Sequence, residues 1–249
     1  MNNLPQMANS FGNIAVLRPR TGLLLGFSAT LAVMCGLHVV LFPAEPEAFF
    51  AFALFITGSL LLWVKLPVHY PHPQFGACNT VTLLRAGLGA SLLTPLLTGD
   101  TATAPIGDWA VVVISACALS LDGVDGWLAR RSGLASAYGA RFDMEVDAAL
   151  ALILALHAFA DGMVGPIVLV LGLMRYAFVA SSYSFSWLSA PLPDRFGRKL
   201  VCVVQIAALI ALQLPLLHEA LAQWIAFGAA LALIWSFGRD TIWLWRHRP

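Results

Sequence analysis

Eight apolar stretches constrain how this chain can fold more than any other feature of the sequence. A helix needs about 20 mostly apolar residues to cross a hydrocarbon core of about 30 Å. The sequence is 59% hydrophobic and only 11% charged, which lies outside the balance of soluble domains. We therefore predict an all-α integral membrane protein, since a transmembrane barrel would show alternating segments of about ten residues instead. The predicted helices are 22–42, 48–66, 80–98, 109–121 with its continuation, 146–160, 164–188, 199–217 and 220–238.

The basic residues indicate an orientation. If the eight helices alternate from a cytoplasmic N-terminus, the loops 43–47, 99–108, 161–163 and 218–219 are external, and they contain no Lys or Arg. Twelve of the 14 basic residues then lie on the internal side, as the positive-inside rule requires. We expect both termini to be cytoplasmic. Only Arg85 and Arg175 lie inside apolar stretches.

Proline and glycine are concentrated in "PVHYPHPQFG" at 67–76, which is typical of an irregular linker. It separates two N-terminal helices from six further ones. We predict four regions: an N-terminal hairpin (1–66), a cytoplasmic linker (67–78), a six-helix core (79–240) and a cytoplasmic tail (241–249). His69 and His72 are expected in a solvated connector, because Pro71 and Pro73 break any helix that would align them as metal ligands.

Four aspartates lie within "LDGVDGWLARRSGLASAYGARFDMEVD", residues 121–147. The apolar part of the preceding helix has 13 residues and spans only about 20 Å, so the helix must continue into this segment. Asp122 and Asp125 then share a face with Ala129, while Gly133 ends the helix.

The next helix is expected to open near Arg141. Asp143 and Asp147 lie four residues apart on one of its faces, whereas Glu145 points the other way. A short loop between two antiparallel helices would bring both aspartate pairs together at the cytoplasmic edge of the membrane.

Four facing carboxylates repel one another unless cations neutralise them. Asp122 and Asp125 also lie near a helix C-terminus, where the macrodipole disfavours anions, and ionisable groups at membrane depth are usually functional. For Asp143 alone, an ordinary helix-capping role stays open. Ligands that are all oxygen suit Mg²⁺, Mn²⁺ or Ca²⁺, and two such ions would form a clamp for phosphate transfer.

Small residues accompany the carboxylates. Gly126 and Ala129 leave room for a flat ligand near the first helix, and Gly139 does so on the facing segment. Arg130 is suited to a phosphate oxygen, but it suits the role of a membrane-interface anchor equally well.

The spacing of these residues resembles the signature of the CDP-alcohol phosphotransferase family. The match comprises Asp122, Asp125, Gly126, Ala129 and Arg130, then eight residues, then Gly139, Asp143 and Asp147. A second stretch, with Asn79, Thr82 and Arg85, is similar to the opening of the first core helix in this family. The resemblance covers roughly residues 76–240.

The resemblance implies a function and roles for individual residues. Family members displace CMP from a CDP-linked donor with an alcohol, usually as homodimers with a six-helix core. Two Mg²⁺ or Mn²⁺ ions are expected on Asp122, Asp125, Asp143 and Asp147, and Asp147 is also expected to deprotonate the acceptor. The residues expected to contact the CDP donor are Asn79, Thr82, Arg85, Gly126, Ala129, Arg130 and Gly139.

The donor and the acceptor stay open at this stage. We favour CDP-diacylglycerol as the donor, with a soluble CDP-alcohol used with diacylglycerol as the alternative and a divalent-cation transporter as a less favoured one. Gly197, Arg198, Lys199 and Gln205 only partly match a stretch found in phosphatidyl-transferring members. We expect Arg175, with Arg198 or Lys199, to bind an anionic group on the acceptor, the alternative being that Arg175 pairs with a carboxylate of the fifth helix.

These expectations describe an enzyme of phospholipid biosynthesis in the cytoplasmic membrane of a bacterium, with its active site on the cytoplasmic side. Its partners would be the CDP-linked lipid, the alcohol acceptor and membrane lipids. We expect no nucleic-acid partner.

Overall fold

A computed structural model describes residues 18–43, 45–99, 109–190, 192–193 and 195–248. All regular structure within these ranges is helical. Nine α-helices and one short 3₁₀ helix, Ser186–Ser189, are present there. The α-helices are α1 (Pro19–Leu41), α2 (Ala48–His69), α3 (Gly76–Ser91), α4 (Leu93–Thr98), α5 (Trp109–Ser132), α6 (Ala137–Ala160), α7 (Val168–Ser184), α8 (Phe196–Ala211) and α9 (Glu219–Arg246).

Among the residues that the structure describes, five helical stretches are long and apolar enough to cross a membrane. They are α1, α2, α5, α9 and the nearly continuous pair α3 and α4, which is interrupted only at Leu92. Helix α7 is apolar but shorter. The prediction of an all-α integral membrane protein is confirmed.

The predicted linker is largely helical at both ends. Helix α2 continues through Pro67 to His69, and α3 begins at Gly76, so the irregular segment is confined to 70–75. Proline lacks an amide hydrogen and therefore removes a single bond from the helical ladder. The last turn survives because the amide of Tyr70 still donates to the carbonyl of Leu66, at 3.1 Å.

Other helix boundaries also differ from the prediction. Helix α6 begins at Ala137, one turn before the expected start near Arg141, because Ser136 caps it by accepting a hydrogen bond from the Gly139 amide at 3.0 Å. The predicted helix 164–188 is divided into α7 and the 3₁₀ helix, and 199–217 is shortened to α8. Gly133, with φ 69°, ends α5 as expected.

The N-terminal hairpin packs against α3. Gly22 of α1 permits close contact there, because a Cβ atom on it would lie 2.8 Å from the Cβ atom of Phe75. A buried cluster that includes Leu23, Met34 and Phe55 fills the interface. The hairpin thus packs closely against α3, the first helix of the predicted six-helix core.

A larger apolar core joins the remaining helices. Ile114 of α5, Leu154 of α6, Leu209 of α8 and Leu233 of α9 are among its buried members. Helix α3 packs against both α5 and α6, and these two helices are joined by the turn 133–136. We call the end of the bundle that carries this turn the aspartate end, since all four aspartates lie in the adjoining parts of α5 and α6.

Candidate active site

The four aspartates converge on Arg85 of α3. Its Nη1 atom lies 2.7 Å from Asp125 Oδ2 and 2.5 Å from Asp143 Oδ1. Its Nη2 atom lies 2.8 Å from Asp122 Oδ1 and also contacts Asp147 Oδ1. The two pairs predicted from helical spacing therefore do meet. They do so around Arg85, which the family resemblance had assigned to contact with the CDP donor.

Arg85 is held in this position by burial and by the backbone of α5. Its side chain is 1% exposed, and Nε donates to the carbonyl of Ala118 at 3.2 Å. A buried charge is tolerable only with counter-charges. The role of Arg85 as counter-ion to the aspartates was missed, although its place inside an apolar stretch was a signal that such partners exist.

One guanidinium faces four carboxylates, so the cluster retains excess negative charge. Oxygen atoms of Asp122, Asp143 and Asp147 all lie within 4.8 Å of one another, close enough for one metal ion to reach all three. A donor set of carboxylate oxygens fits Mg²⁺ or Mn²⁺. The residues present therefore suit the predicted divalent cation.

Asp125 lies deeper than this group of three. It is 4% exposed, and its Oδ2 atom accepts hydrogen bonds from Arg85 and from Thr82 Oγ1, the latter at 2.9 Å. Thr82 lies one turn before Arg85 on α3, so both reach the same carboxylate. Thr82 therefore orients Asp125 within the cluster.

Asn79 connects the segment 70–75 to the first turn of α6. Its Nδ2 atom donates to the Tyr70 hydroxyl at 2.9 Å and to the carbonyl of Phe75. Burial raises the pKa of Tyr70 to about 12, so this hydroxyl stays neutral. A Cβ atom on Gly139 would lie 3.0 Å from Asn79 Oδ1, which explains why the glycine is needed for this close approach.

The other small residues lie beside the cluster with partial exposure. Gly126 directly follows Asp125, and a Cβ atom on it would lie 3.4 Å from Nη1 of Arg130. Arg130 is exposed and Ala129 is partly buried. This face of α5 is thus open at the aspartate end, with a cation beside it.

Arg175 of α7 is paired with a carboxylate of α6. Its Nη2 atom donates to Glu145 Oε1 at 2.7 Å. This is the alternative that the sequence left open, with Glu145 pointing away from the four aspartates as expected. Contact between Arg175 and an acceptor stays a prediction.

The start of α8 and the end of α9 form a second charged group. Arg198 Nη1 lies 3.5 Å from Asp240 Oδ2, and Arg195 Nη1 lies 4.0 Å from Asp240 Oδ1. Asp240 is 5% exposed and was missed, because the predicted helix ended at residue 238. Lys199 is exposed.

Helix packing brings this group near the aspartates. Helix α8, which carries Arg198 and Lys199, and α7, which carries Arg175, both pack against α6. The basic residues predicted to bind the acceptor therefore lie on helices that contact the helix of Asp143 and Asp147.

Comparison with known proteins adds one match. A family model described as CDP-alcohol phosphatidyltransferase matches residues 75–235, which is more than half of the chain and extends from the start of α3 into α9. The matched region contains Arg85 and all four aspartates, whereas α1 and α2 lie outside it. Neither a curated protein nor a solved structure matches the chain at a significant level.

Proposed function

The chain belongs to the CDP-alcohol phosphatidyltransferase family, and on that premise we propose that it transfers a phosphatidyl group from CDP-diacylglycerol to an alcohol that bears a phosphate. It is a membrane transferase of phosphate-containing groups in phospholipid synthesis. The observation that carries the finer proposal is the convergence of four carboxylates on Arg85, next to the basic residues of α7 and α8.

The carboxylates of Asp122, Asp143 and Asp147 would hold a divalent cation, Mg²⁺ or Mn²⁺, and Asp125 would complete the set for a second ion. Bound there, such ions neutralise a diphosphate and the developing charge on the leaving CMP. Arg85 keeps the carboxylates together, and Thr82 holds Asp125 in place.

Asp147 is the proposed general base. A carboxylate within reach of the acceptor hydroxyl takes its proton as the oxygen attacks the phosphorus atom that carries diacylglycerol. The bond from that phosphorus to the oxygen of CMP breaks, CMP leaves with the electron pair, and the proton stays on Asp147. Asp147 lies one turn further along α6 than Asp143, and α6 packs against α8, which carries Arg198 and Lys199. This packing supports a position for Asp147 between the donor side and the acceptor side of the proposed site.

The donor would lie along the open face of α5. Gly126 and Ala129 leave space for the cytidine, and Arg130 is exposed beside them to bind the diphosphate. Asn79 and Gly139 lie in close contact and would form the wall of the donor site that faces α5.

The acceptor would bind through Arg175, Arg198 and Lys199. Glu145 and Asp240 hold the two arginines in place, whereas Lys199 forms no ion pair within the described part of the chain. An anionic acceptor group suits this site, since the charge of Lys199 stays uncompensated even though Glu145 and Asp240 pair with the two arginines.

We also propose that this is a homodimer in the cytoplasmic membrane of a bacterium. The aspartate end would face the cytoplasm, where the positive-inside rule places Arg130, Arg131 and Arg198. A lipid donor can then keep its tails in the bilayer while its nucleotide reaches the site. The homodimer rests on the family resemblance alone.

One assay tests the proposal. Detergent-purified protein is incubated with CDP-diacylglycerol, Mg²⁺ or Mn²⁺, and separately glycerol 3-phosphate, inositol phosphate, inositol, serine or choline, and release of CMP is measured. We expect release with a phosphorylated alcohol, lost in Asp147→Asn and retained in Glu219→Gln at the opposite end of the bundle.

Two results would contradict it. Release from a soluble CDP-alcohol in the presence of diacylglycerol, and not from CDP-diacylglycerol, would reassign the donor. Undiminished release by Asp147→Asn would refute the role of the base.

A further inference from the structure

A cavity of about 610 Å³ lies between α2 of the N-terminal hairpin and the core helices α3 and α6. Its lining extends along α6 from Ala137 to Ile153, which corresponds to about 24 Å of helix. Deep in the cavity the lining is apolar and includes Leu83, Val146 and Leu150. A long apolar space of this kind suits an acyl chain.

One end of this cavity, which we call its mouth, is positively charged. Lys65 of α2 and Arg141 of α6 line it there. Within the part of the chain that the structure describes, neither Lys65 nor Arg141 forms an ion pair. Glu145, the one acidic residue of the lining, is paired with Arg175 at 2.7 Å. Helices α2 and α6 thus each carry a cation without an anionic partner at the mouth of an apolar cavity.

The cavity also contains a buried hydroxyl without a partner. Ser59 is 7% exposed, lines the cavity, and its Oγ atom forms no hydrogen bond among the described residues. It lies six residues before Lys65 on α2, which is about 9 Å deeper along the helix. With the lipid phosphate at Lys65, Ser59 would lie on the hydrocarbon side of it, where the ester groups of a glycerolipid are. An ester carbonyl of a glycerolipid would supply the acceptor that this hydroxyl lacks.

The cavity is separate from the four aspartates. Asp143 and Asp147 lie on another face of α6 and do not line it, and only Arg85 borders both spaces. The Tyr138 hydroxyl donates to the carbonyl of Leu62 at 3.0 Å and fixes the distance between α6 and α2 near the mouth. The outer wall is formed by a helix that lies outside the matched family region.

We propose that this cavity binds one anionic phospholipid of the surrounding bilayer, with an acyl chain between α2 and α6 and its phosphate at Lys65 and Arg141. The N-terminal hairpin would thereby serve as one wall of a lipid site that the six-helix core cannot form alone. The proposal does not depend on which group the enzyme transfers.

Native mass spectrometry of the full-length protein tests this directly. Delipidated protein in detergent is titrated with phosphatidylglycerol and, separately, with phosphatidylcholine of the same chain length. We expect one phosphatidylglycerol to be retained per chain, at least tenfold more tightly than phosphatidylcholine.

Two variants address the chain and the phosphate separately. Gly58→Leu fills the cavity, because a Cβ atom on Gly58 would meet nothing within 4 Å. Its control is Gly36→Leu on α1, where a Cβ atom likewise meets nothing and the cavity is not involved. The double variant Lys65→Gln/Arg141→Gln removes the cations, and Arg246→Gln/Arg248→Gln at the end of α9 is its control.

We expect both cavity variants to weaken retention of phosphatidylglycerol at least tenfold, with both controls unchanged. Gel filtration verifies that each variant keeps the elution volume of the unmodified chain, and if Gly58→Leu fails there, the double variant decides alone. Equal retention of the two lipids, or unchanged retention in the double variant, would overturn the proposal. Displacement of phosphatidylglycerol by one equivalent of CDP-diacylglycerol would also overturn it, since the cavity would then be a donor site.

Discussion

The guanidinium of Arg85 lies 2.7 Å from the carboxylate of Asp125, with the two side chains 1% and 5% exposed. This pair is the innermost contact of the candidate site, and the more exposed aspartates gather around it. Its burial makes the arginine both a structural element and a determinant of the charge that the site presents.

Replacing Arg85 by Met should destabilise the protein severely. The change leaves Asp125 and its three neighbours without their counter-ion, and breaking a buried pair typically costs about 3–5 kcal/mol. Thermal unfolding in detergent measures the effect, with Arg248→Gln as a control on an exposed arginine. An unchanged midpoint would mean that the aspartates do not need this cation.

Divalent cations should raise the thermal midpoint. A ligand that binds the folded state alone stabilises it by about 2.7 kcal/mol at a concentration 100 times its Kd. We expect stabilisation by Mn²⁺ that is reversed by a chelator and lost in Asp122→Asn, whose carboxylate belongs to the group of three. Glu219→Gln is the matched control, and a response to Mn²⁺ that survives in Asp122→Asn would place the cation elsewhere.

Replacing Thr82 by Val should lower activity by about tenfold or more. The two side chains have the same shape, so the change removes chiefly the hydrogen bond of 2.9 Å that orients Asp125. Arg85 still donates to the same oxygen, so the cost is that of one hydrogen bond to a charged group, about 1.5–3 kcal/mol. The rate of CMP release measures the effect. In the control Thr80→Val, only a bond of 3.2 Å to the carbonyl of Gly76 is lost, and equal losses in the two variants would deny Thr82 a special role.

From the ion pair between Arg175 and Glu145 we predict opposite changes in KM for variants of its two residues. If Arg175 binds the acceptor phosphate, Arg175→Met raises KM for phosphorylated acceptors at least tenfold, because a charged hydrogen bond is lost. Glu145→Gln should then lower that KM, since it frees Arg175 from its partner. Initial rates across the acceptor series measure both. A KM unchanged by Arg175→Met for every anionic acceptor would leave the ion pair as a packing contact.

The sequence predicted the aspartate cluster because its members lie three and four residues apart on two helices, and local helical geometry places them on common faces. It could not predict Arg85 as their centre, since the contacts between Arg85 and Asp147 join residues 62 positions apart. Arg175 and Glu145 are 30 positions apart, so the sequence predicted a carboxylate partner for Arg175 only as one of two alternatives. The start of α6 was predicted one turn too late, near Arg141, although Ser136 is a favourable N-cap residue that could have indicated it.

Replacing Gly172 by Ala should destabilise the core without touching the site. Alanine normally favours a helix over glycine by about 1 kcal/mol, so a glycine inside α7 calls for a steric reason. A Cβ atom on Gly172 would lie 2.8 Å from Cα of Leu152 and 3.0 Å from Cβ of Ala155, both on α6. Because these atoms belong to the backbone or lie directly on it, the two helices would have to separate, which costs about 1–3 kcal/mol for an overpacked core.

The same substitution at Gly228 of α9 is the control for this prediction. A Cβ atom there meets nothing within 4 Å, so Gly228→Ala should leave the midpoint unchanged or raise it. Thermal unfolding of the two variants in the same detergent makes the comparison. Equal midpoints would show that α6 and α7 are not in close contact at Gly172.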